Sequence, residues 1–226
     1  MSRYVTVASM SHQPSPAFRG NYEGLLDHAA HHLWRAKNMG ARIIAFPEIY
    51  CQFIADNAIA AAEPLDGPSV TRMRREAKKN KLYVFWPIYT NEGCTIFNSS
   101  ILIGPDCQVV GNYHKMHPTI GEIEGGVMPG DEANVFETDF GKIGACICFD
   151  INFHDVLHGL RANGAEAIFF CSAFKGGMIV RYWAFQLGCY MIAAVGSELG
   201  QIVDQGGKLL AMSTYESLIA HPINLN

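Results

Sequence analysis

Three segments of this 226-residue chain put a reactive side chain where an apolar strand pattern runs out. In Phe46-Pro47-Glu48 a carboxylate follows a proline, and proline has no N–H to give a sheet ladder, so the strand closes there. Tyr113-His114-Lys115-Met116-His117-Pro118 sets a basic cluster after a second strand. Gly141-Lys142-Ile143-Gly144-Ala145-Cys146-Ile147-Cys148-Phe149-Asp150 carries a glycine-flanked apolar strand into a cysteine, an aromatic residue and an acid, with a helical pattern beyond. A thiol at a strand-to-helix turn can meet backbone N–H groups, which lower its pKa and can double as an oxyanion hole. Each segment alone has an ordinary reading: a loop carboxylate, a solvated lysine, a cysteine buried as a small hydrophobe. Together, a carboxylate, an ammonium and a thiol at three strand ends outweigh the ordinary reading that each has alone.

The elements that must position these groups alternate between strand and helix. Strands are expected over 4–10 and 42–46, with a helix over 21–39 between them, its Leu25, Leu26, Ala29, Ala30, Leu33 and Ala36 at helical spacing and Gly40 as its stop. Gly67-Pro68 opens a basic amphipathic helix to 80, and strands follow over 82–89, 95–103 and 108–113. The second half repeats the rhythm: strands at 142–149, 165–171 and 190–195, helices at 155–162 and 180–187, a hairpin of 200–203 with 209–212, and a closing strand at 217–223. Helices alternating with buried strands, plus hairpins, indicate a layered α/β domain with a mixed sheet system.

Composition sets the outer bounds. Hydrophobic residues make up 49%, while charged residues are 17% against a typical value of about 25%, which excludes disorder, coiled coil and collagen. Lys and Arg number 17 against 21 Asp and Glu, a net charge of −4, so no broad electrostatic case exists for nucleic acid. No apolar run approaches the roughly 18 residues of a membrane span, and the start shows no signal-peptide core. Seven cysteines, an odd number mostly in apolar runs, read as reduced thiols and a cytoplasmic protein. Asn98-Ser99-Ser100 matches a glycosylation sequon. With no linker visible, residues 1–226 are expected to form a single domain.

The three segments, in this order, resemble the motif set of the nitrilase superfamily of carbon–nitrogen hydrolases. Pro47-Glu48, Tyr113-His114-Lys115-Met116-His117 and Ile147-Cys148-Phe149-Asp150 match its Glu, Lys and Cys motifs. Glu63-Pro64-Leu65-Asp66-Gly67-Pro68, Asn98-Ser99 and Pro129-Gly130 match its supporting stretches, and the likeness runs from Val5 to Ile223. The resemblance implies a four-layer αββα sandwich and an amidase- or carbamoylase-like member. It implies Cys148 as nucleophile, Glu48 as general base, and Lys115 with the Phe149 N–H as oxyanion stabilisers. It also implies a second active-site acid, Glu124 in preference to Glu122, no metal or organic cofactor, and a homodimer or larger homo-oligomer. A small linear amide or N-carbamoyl compound is the expected substrate, released as ammonia plus a thioester that water then hydrolyses. Nitrile hydrolysis by the same residues and a non-catalytic binding role are the competing readings.

Two departures from the family pattern fall outside the three motifs. Asn152-Phe153-His154-Asp155 stands where many members carry an Arg-Phe-Pro-Glu-like run, and Gln186 stands where an acid would pair with Arg181. Cys146, two residues before Cys148, is expected on the same strand face as a packing residue, because Cys-x-Cys here lacks the second pair a zinc site needs. Residues that follow strand ends, namely Tyr50, Phe149, Asn152, Ala173 and Phe174, are expected to line a snug, partly apolar pocket.

Overall fold

In a computed structural model that describes residues 3–226, the alternation of strands and helices closes into two six-stranded sheets. The first half supplies β1 (Tyr4–Met10), α1 (Tyr22–Asn38), β2 (Ile43–Ala45), α2 (Pro68–Asn80), β3 (Tyr83–Glu92), β4 (Thr95–Ile103) and β5 (Val109–His114). A short helix α3 (Ile120–Glu124) leads into β6 (Val135–Glu137), β7 (Lys142–Ile147), α4 (His154–Ala162), β8 (Ala167–Ser172), α5 (Met178–Leu187) and β9 (Tyr190–Val195). β10 (Gln201–Val203), β11 (Leu209–Met212) and β12 (Leu218–Asn224) complete the order. One sheet runs β12-β1-β2-β3-β4-β5 and the other β11-β10-β9-β8-β7-β6, so the last strand returns to pair antiparallel with the first.

Local chemistry accounts for the helix bounds. The Asn21 side chain caps α1 by accepting the Gly24 N–H at 3.0 Å, and Arg35 and Lys37 meet the negative end of its dipole. Pro68 takes the first turn of α2, where its missing N–H costs nothing, and Lys81 ends that helix in the left-handed conformation. The strands then sort residues by period two. Val5, Val7, Ile43, Ala45, Phe85, Leu102 and Tyr113 face the second sheet and share a core with Cys146, Phe169, and the α4 and α5 residues Leu157, Leu160, Trp183 and Ala184. Ala8, Met10, Ile44, Val84, Trp86 and Ile101 face the other way and bury Leu25, Leu33, Val70 and Met73 of α1 and α2. Helix layer, sheet, sheet, helix layer: the fold is an αββα sandwich.

Strand direction brings the chemistry to one edge. β1, β2 and β3 are parallel, as are β7, β8 and β9. β5 is antiparallel to β4, which is antiparallel to β3, so β5 ends at the same edge as β2 and β3. Two elements, α3 and β6, are absent from the sequence expectation because five- and three-residue segments carry too few periods to read. β7 stops at Ile147 rather than Phe149, because Cys148 leaves the strand with φ of +48°. Arg181, without an acid at position 186, donates instead to Gly207 O at 3.0 Å in the β10–β11 turn. Asn98 of the sequon is fully buried and out of reach of any glycosylating enzyme in the folded chain. Among the described residues, no helix is long and apolar enough to cross a membrane.

Candidate active site

Glu48, Lys115 and Cys148 come from three different strand ends, and the edge described above gathers them. β2 ends before Pro47, and Ile49 turns the chain with a left-handed φ of +46°, a strained conformation for a β-branched residue. The turn leaves Glu48 aimed inward, 4% exposed, with Oε2 accepting the Ala173 N–H at 3.0 Å just past β8. Lys115 extends β5 by one residue, its N–H bonded to Asn98 O at 2.8 Å. Its ammonium is 1% exposed and bridges Glu48 Oε1 and Glu122 Oε2, each at 2.8 Å.

Cys148 opens a 3-10 turn over Cys148–Asn152, and its left-handed backbone lifts the thiol out of the β7 register. Asp150 fastens that turn. Its buried carboxylate accepts the Ile147 N–H at 2.9 Å, the Tyr113 hydroxyl at 2.7 Å and the His117 N–H at 2.9 Å, so it joins the Cys148 turn to the segment bearing Lys115. The Trp183 indole of α5 donates to Ile151 O at 2.7 Å and holds the same turn from the other side.

Electrostatics assign the resting protonation states. Burial lowers the proton affinity of Lys115, but Glu48 and Glu122 outweigh it and raise the lysine above its ordinary value, so it is a cation. Burial would raise Glu122, yet Lys115 and the donors around it hold that carboxyl below its ordinary value. Burial, reinforced by the Glu48 charge, pushes the Cys148 thiol up to about 12 against the opposing pull of Lys115. The resting Cys148 side chain is therefore a neutral thiol, its proton held by burial and by the Glu48 carboxylate. Asp150 is raised to about 6 by burial, despite its three donors.

The second acid in the cluster is Glu122, which corrects the expectation of Glu124. Thr119 and Glu122 form a capping box at the start of α3, the Thr119 N–H and hydroxyl donating to Glu122 Oε2 at 2.8 and 2.9 Å. Glu122 also accepts from Tyr89 at 3.2 Å and from Asn98 at 2.7 Å, whereas Glu124 is exposed. The Thr-x-x-Glu spacing at 119–122 was the readable signal for it. Tyr50 is likewise not a pocket residue. Turned back by Ile49, it is fully buried on the helix side against Phe46 and Trp86, its hydroxyl 3.0 Å from His28 Nδ1. Ala173 reaches the cluster through its backbone N–H, and Phe149 and Phe174 are exposed near it in sequence at 40% and 44%. Asn152 is exposed and donates to Phe149 O at 3.0 Å, bracing the turn. Cys146 is a fully buried packing residue. Tyr89 and Thr119 are cluster members that sequence reading did not single out, and Asn98 was read as a sequon and part of a supporting stretch with no role in the site, since nothing local distinguishes a polar residue facing a site from one facing a core. Among the described residues, no group of three or more His, Cys, Asp or Glu side chains is disposed to hold a metal ion.

An αββα sandwich with a buried carboxylate–ammonium–thiol cluster at the strand-end edge is the architecture of nitrilase-type hydrolases. The carbon-nitrogen hydrolase family profile matches residues 6–222, and the chain belongs to that family as an enzyme of this class. It is 34% identical to β-ureidopropionase of Arabidopsis thaliana over 134 residues, 55% of this chain and 32% of that protein. It is 29% identical to a hydrolase of Mycobacterium tuberculosis, over 83% of this chain and 73% of that one. An omega-amidase of Xenopus tropicalis is 26% identical over 66% of this chain and 58% of its own. The chain thus spans about a third of the plant relative and under two thirds of the frog one. Among solved structures, a branch 10 member of the nitrilase superfamily from Saccharomyces cerevisiae superposes with a TM-score of 0.83 at 20% identity, covering 98% of this chain and 90% of that one. An amidase from Nesterenkonia sp. gives 0.82 at 19%, covering 98% and 91%. These two share the fold.

Proposed function

We propose that residues 1–226 act as one catalytic domain that hydrolyses the C–N bond of a small linear amide or N-carbamoyl compound and releases ammonia through a thioester on Cys148. The observation that carries this reading is the buried ammonium of Lys115 held between two carboxylates beside a neutral thiol. With Glu48 and Glu122 ionised and Lys115 charged, the cluster is net negative, so a free thiolate is disfavoured and the thiol proton moves to Glu48 as sulfur attacks. The new S–C bond leaves an oxyanion facing Lys115 and the Phe149 N–H, which lies in the first turn of the 3-10 segment, where N–H groups point out of the helix start. Protonated Glu48 then gives its proton to the nitrogen, the C–N bond breaks and ammonia leaves. Water, deprotonated by the same carboxylate, attacks the thioester, and the thiol takes the proton back as the acid departs.

Support for the amide and carbamoyl classes comes from two relatives, a β-ureidopropionase and an omega-amidase. In a mutant of the Nesterenkonia amidase, the active-site cysteine takes covalent addition of the acetamide moiety of fluoroacetamide. A bifunctional nitrilase/nitrile hydratase of Lupinus angustifolius, 28% identical over 75% of this chain, keeps nitriles in the test. The experiment is ammonia release from amides, N-carbamoyl compounds and nitriles, with Cys148→Ala alongside. Release from amides or carbamoyl compounds that disappears in Cys148→Ala is the expected result, and release that survives the substitution removes the mechanism. Assembly as a homo-oligomer belongs to the same proposal and is read by light scattering of the purified chain.

A further inference from the structure

Asn98 takes no proton and bears no charge in the reaction above, yet its side chain bonds both carboxylates that hold the Lys115 ammonium, and its backbone holds the lysine's own N–H. It lies in β4, fully buried and directly opposite Tyr89 of β3. Its backbone carbonyl accepts the Lys115 N–H at 2.8 Å, and its Nδ2 donates to Glu48 Oε1 at 2.8 Å and to Glu122 Oε1 at 2.7 Å. Both amide hydrogens are therefore spent on carboxylates. Its Oδ1 is buried with no partner among the described residues, and turning the amide over would set that oxygen against the two carboxylates. The orientation is dictated by the acids, at the cost of an orphan acceptor, rather than by packing.

The consequence lies in Glu48. Oε1 accepts from Asn98 and from Lys115, which fills both of its lone-pair directions. Oε2 accepts the Ala173 N–H at 3.0 Å and no other hydrogen bond among the described residues, which keeps one direction open. We propose that Asn98 is a positioning residue for the hydrolysis: by saturating Oε1 it leaves Oε2 as the single oxygen through which Glu48 exchanges protons with the Cys148 thiol, the leaving nitrogen and water. Lys115 alone does not set this arrangement, because an ammonium is free to slide between the oxygens of either carboxylate, whereas the planar amide fixes one oxygen of each. The groups facing Asn98 are Glu48, Glu122, Lys115 and Tyr89, with Cys148 beyond Glu48. The inference rests on the nucleophile reading of Cys148.

The test separates the two claims by using a probe that needs no substrate. The rate of Cys148 alkylation by iodoacetamide, followed by mass of the Cys148 peptide from about pH 5 to about pH 9, is compared for the unmodified chain, Asn98→Ala, Asn98→Ser and Asn98→Asp. Each is checked for folding by circular dichroism and urea midpoint, and kcat and KM are measured on the amide the unmodified chain hydrolyses. Asn98→Ala is expected to lower kcat by about 30-fold with KM within about threefold, and to slow Cys148 alkylation by a similar factor with a changed pH profile, since the proton-accepting oxygen is no longer held in place. Asn98→Ser, which can donate to one carboxylate only, falls between, and Asn98→Asp is inactive. Where Asn98→Ala does not fold, Asn98→Ser carries the comparison. A folded Asn98→Ala or Asn98→Ser with the unmodified rate and pH profile overturns the positioning role while leaving Cys148 intact. Absence of any Cys148-dependent alkylation or turnover in the unmodified chain removes the nucleophile reading and this role with it.

Discussion

Glu122 and Glu124 stand about 200° apart around the axis of α3, so only one of them can face Lys115. The capping box decides which, because Thr119 draws the Glu122 carboxylate back over the helix start and toward the ammonium. Glu122→Gln keeps the shape and one acceptor but removes a charge that balances the buried lysine. Its kcat/KM is expected to fall by about 100-fold, while Glu124→Gln, an exposed substitution, stays within about twofold. Steady-state ammonia release from both variants checks the assignment, and equal losses would return Glu124 to the site.

At the scale of elements, the site depends on how tightly the Cys148 turn and the β5 extension are joined. Asp150 is the fastening, and its pKa, raised from 3.8 to about 6, has a stability consequence. Between those values the folded chain holds a proton that the unfolded chain has lost. The contribution of Asp150 is fully present below about pH 4 and is lost as pH rises through about 6, a loss of about 3 kcal/mol. Urea unfolding of the native chain is expected to show this decline between about pH 4 and about pH 7, and Asp150→Asn, which cannot ionise, to flatten it. An unchanged slope in the variant would place the pH dependence elsewhere. A second fastening is Gly130, whose N–H donates to Lys115 O at 2.9 Å. A Cβ there would stand 2.4 Å from His114 O, a backbone atom that cannot step aside. Gly130→Ala is expected to cost about 1–3 kcal/mol in urea unfolding and to depress kcat by displacing Lys115. A neutral effect on both would show the loop free to shift without moving the lysine.

Across the whole molecule, the readable and the unreadable divide by how far apart in the chain an interaction reaches. Asn21 and Pro68 mark helix starts in sequence and in space, and β1, β4, β9 and β11 lie where the apolar patterns put them, because capping and period-two burial are set within a few residues. The three reactive side chains were legible for the same reason: a proline, a glycine-flanked strand and a turn each announce a strand end locally. Membership in the cluster was not. Glu48 meets Ala173 across 125 positions and Lys115 across 67, and Asn98 reaches Glu48 across 50. Tyr50, two residues past Glu48, looks like a site residue until the backbone at Ile49 sends it into the opposite core. The amino-acid sequence by itself determined the layered fold, the family and the thiol, lysine and glutamate that belong to it. Only the tertiary structure decided that Glu122 rather than Glu124 balances Lys115, and that Asn98 binds both acids. Those choices depend on which side chains two sheets bring face to face, and no local pattern records that.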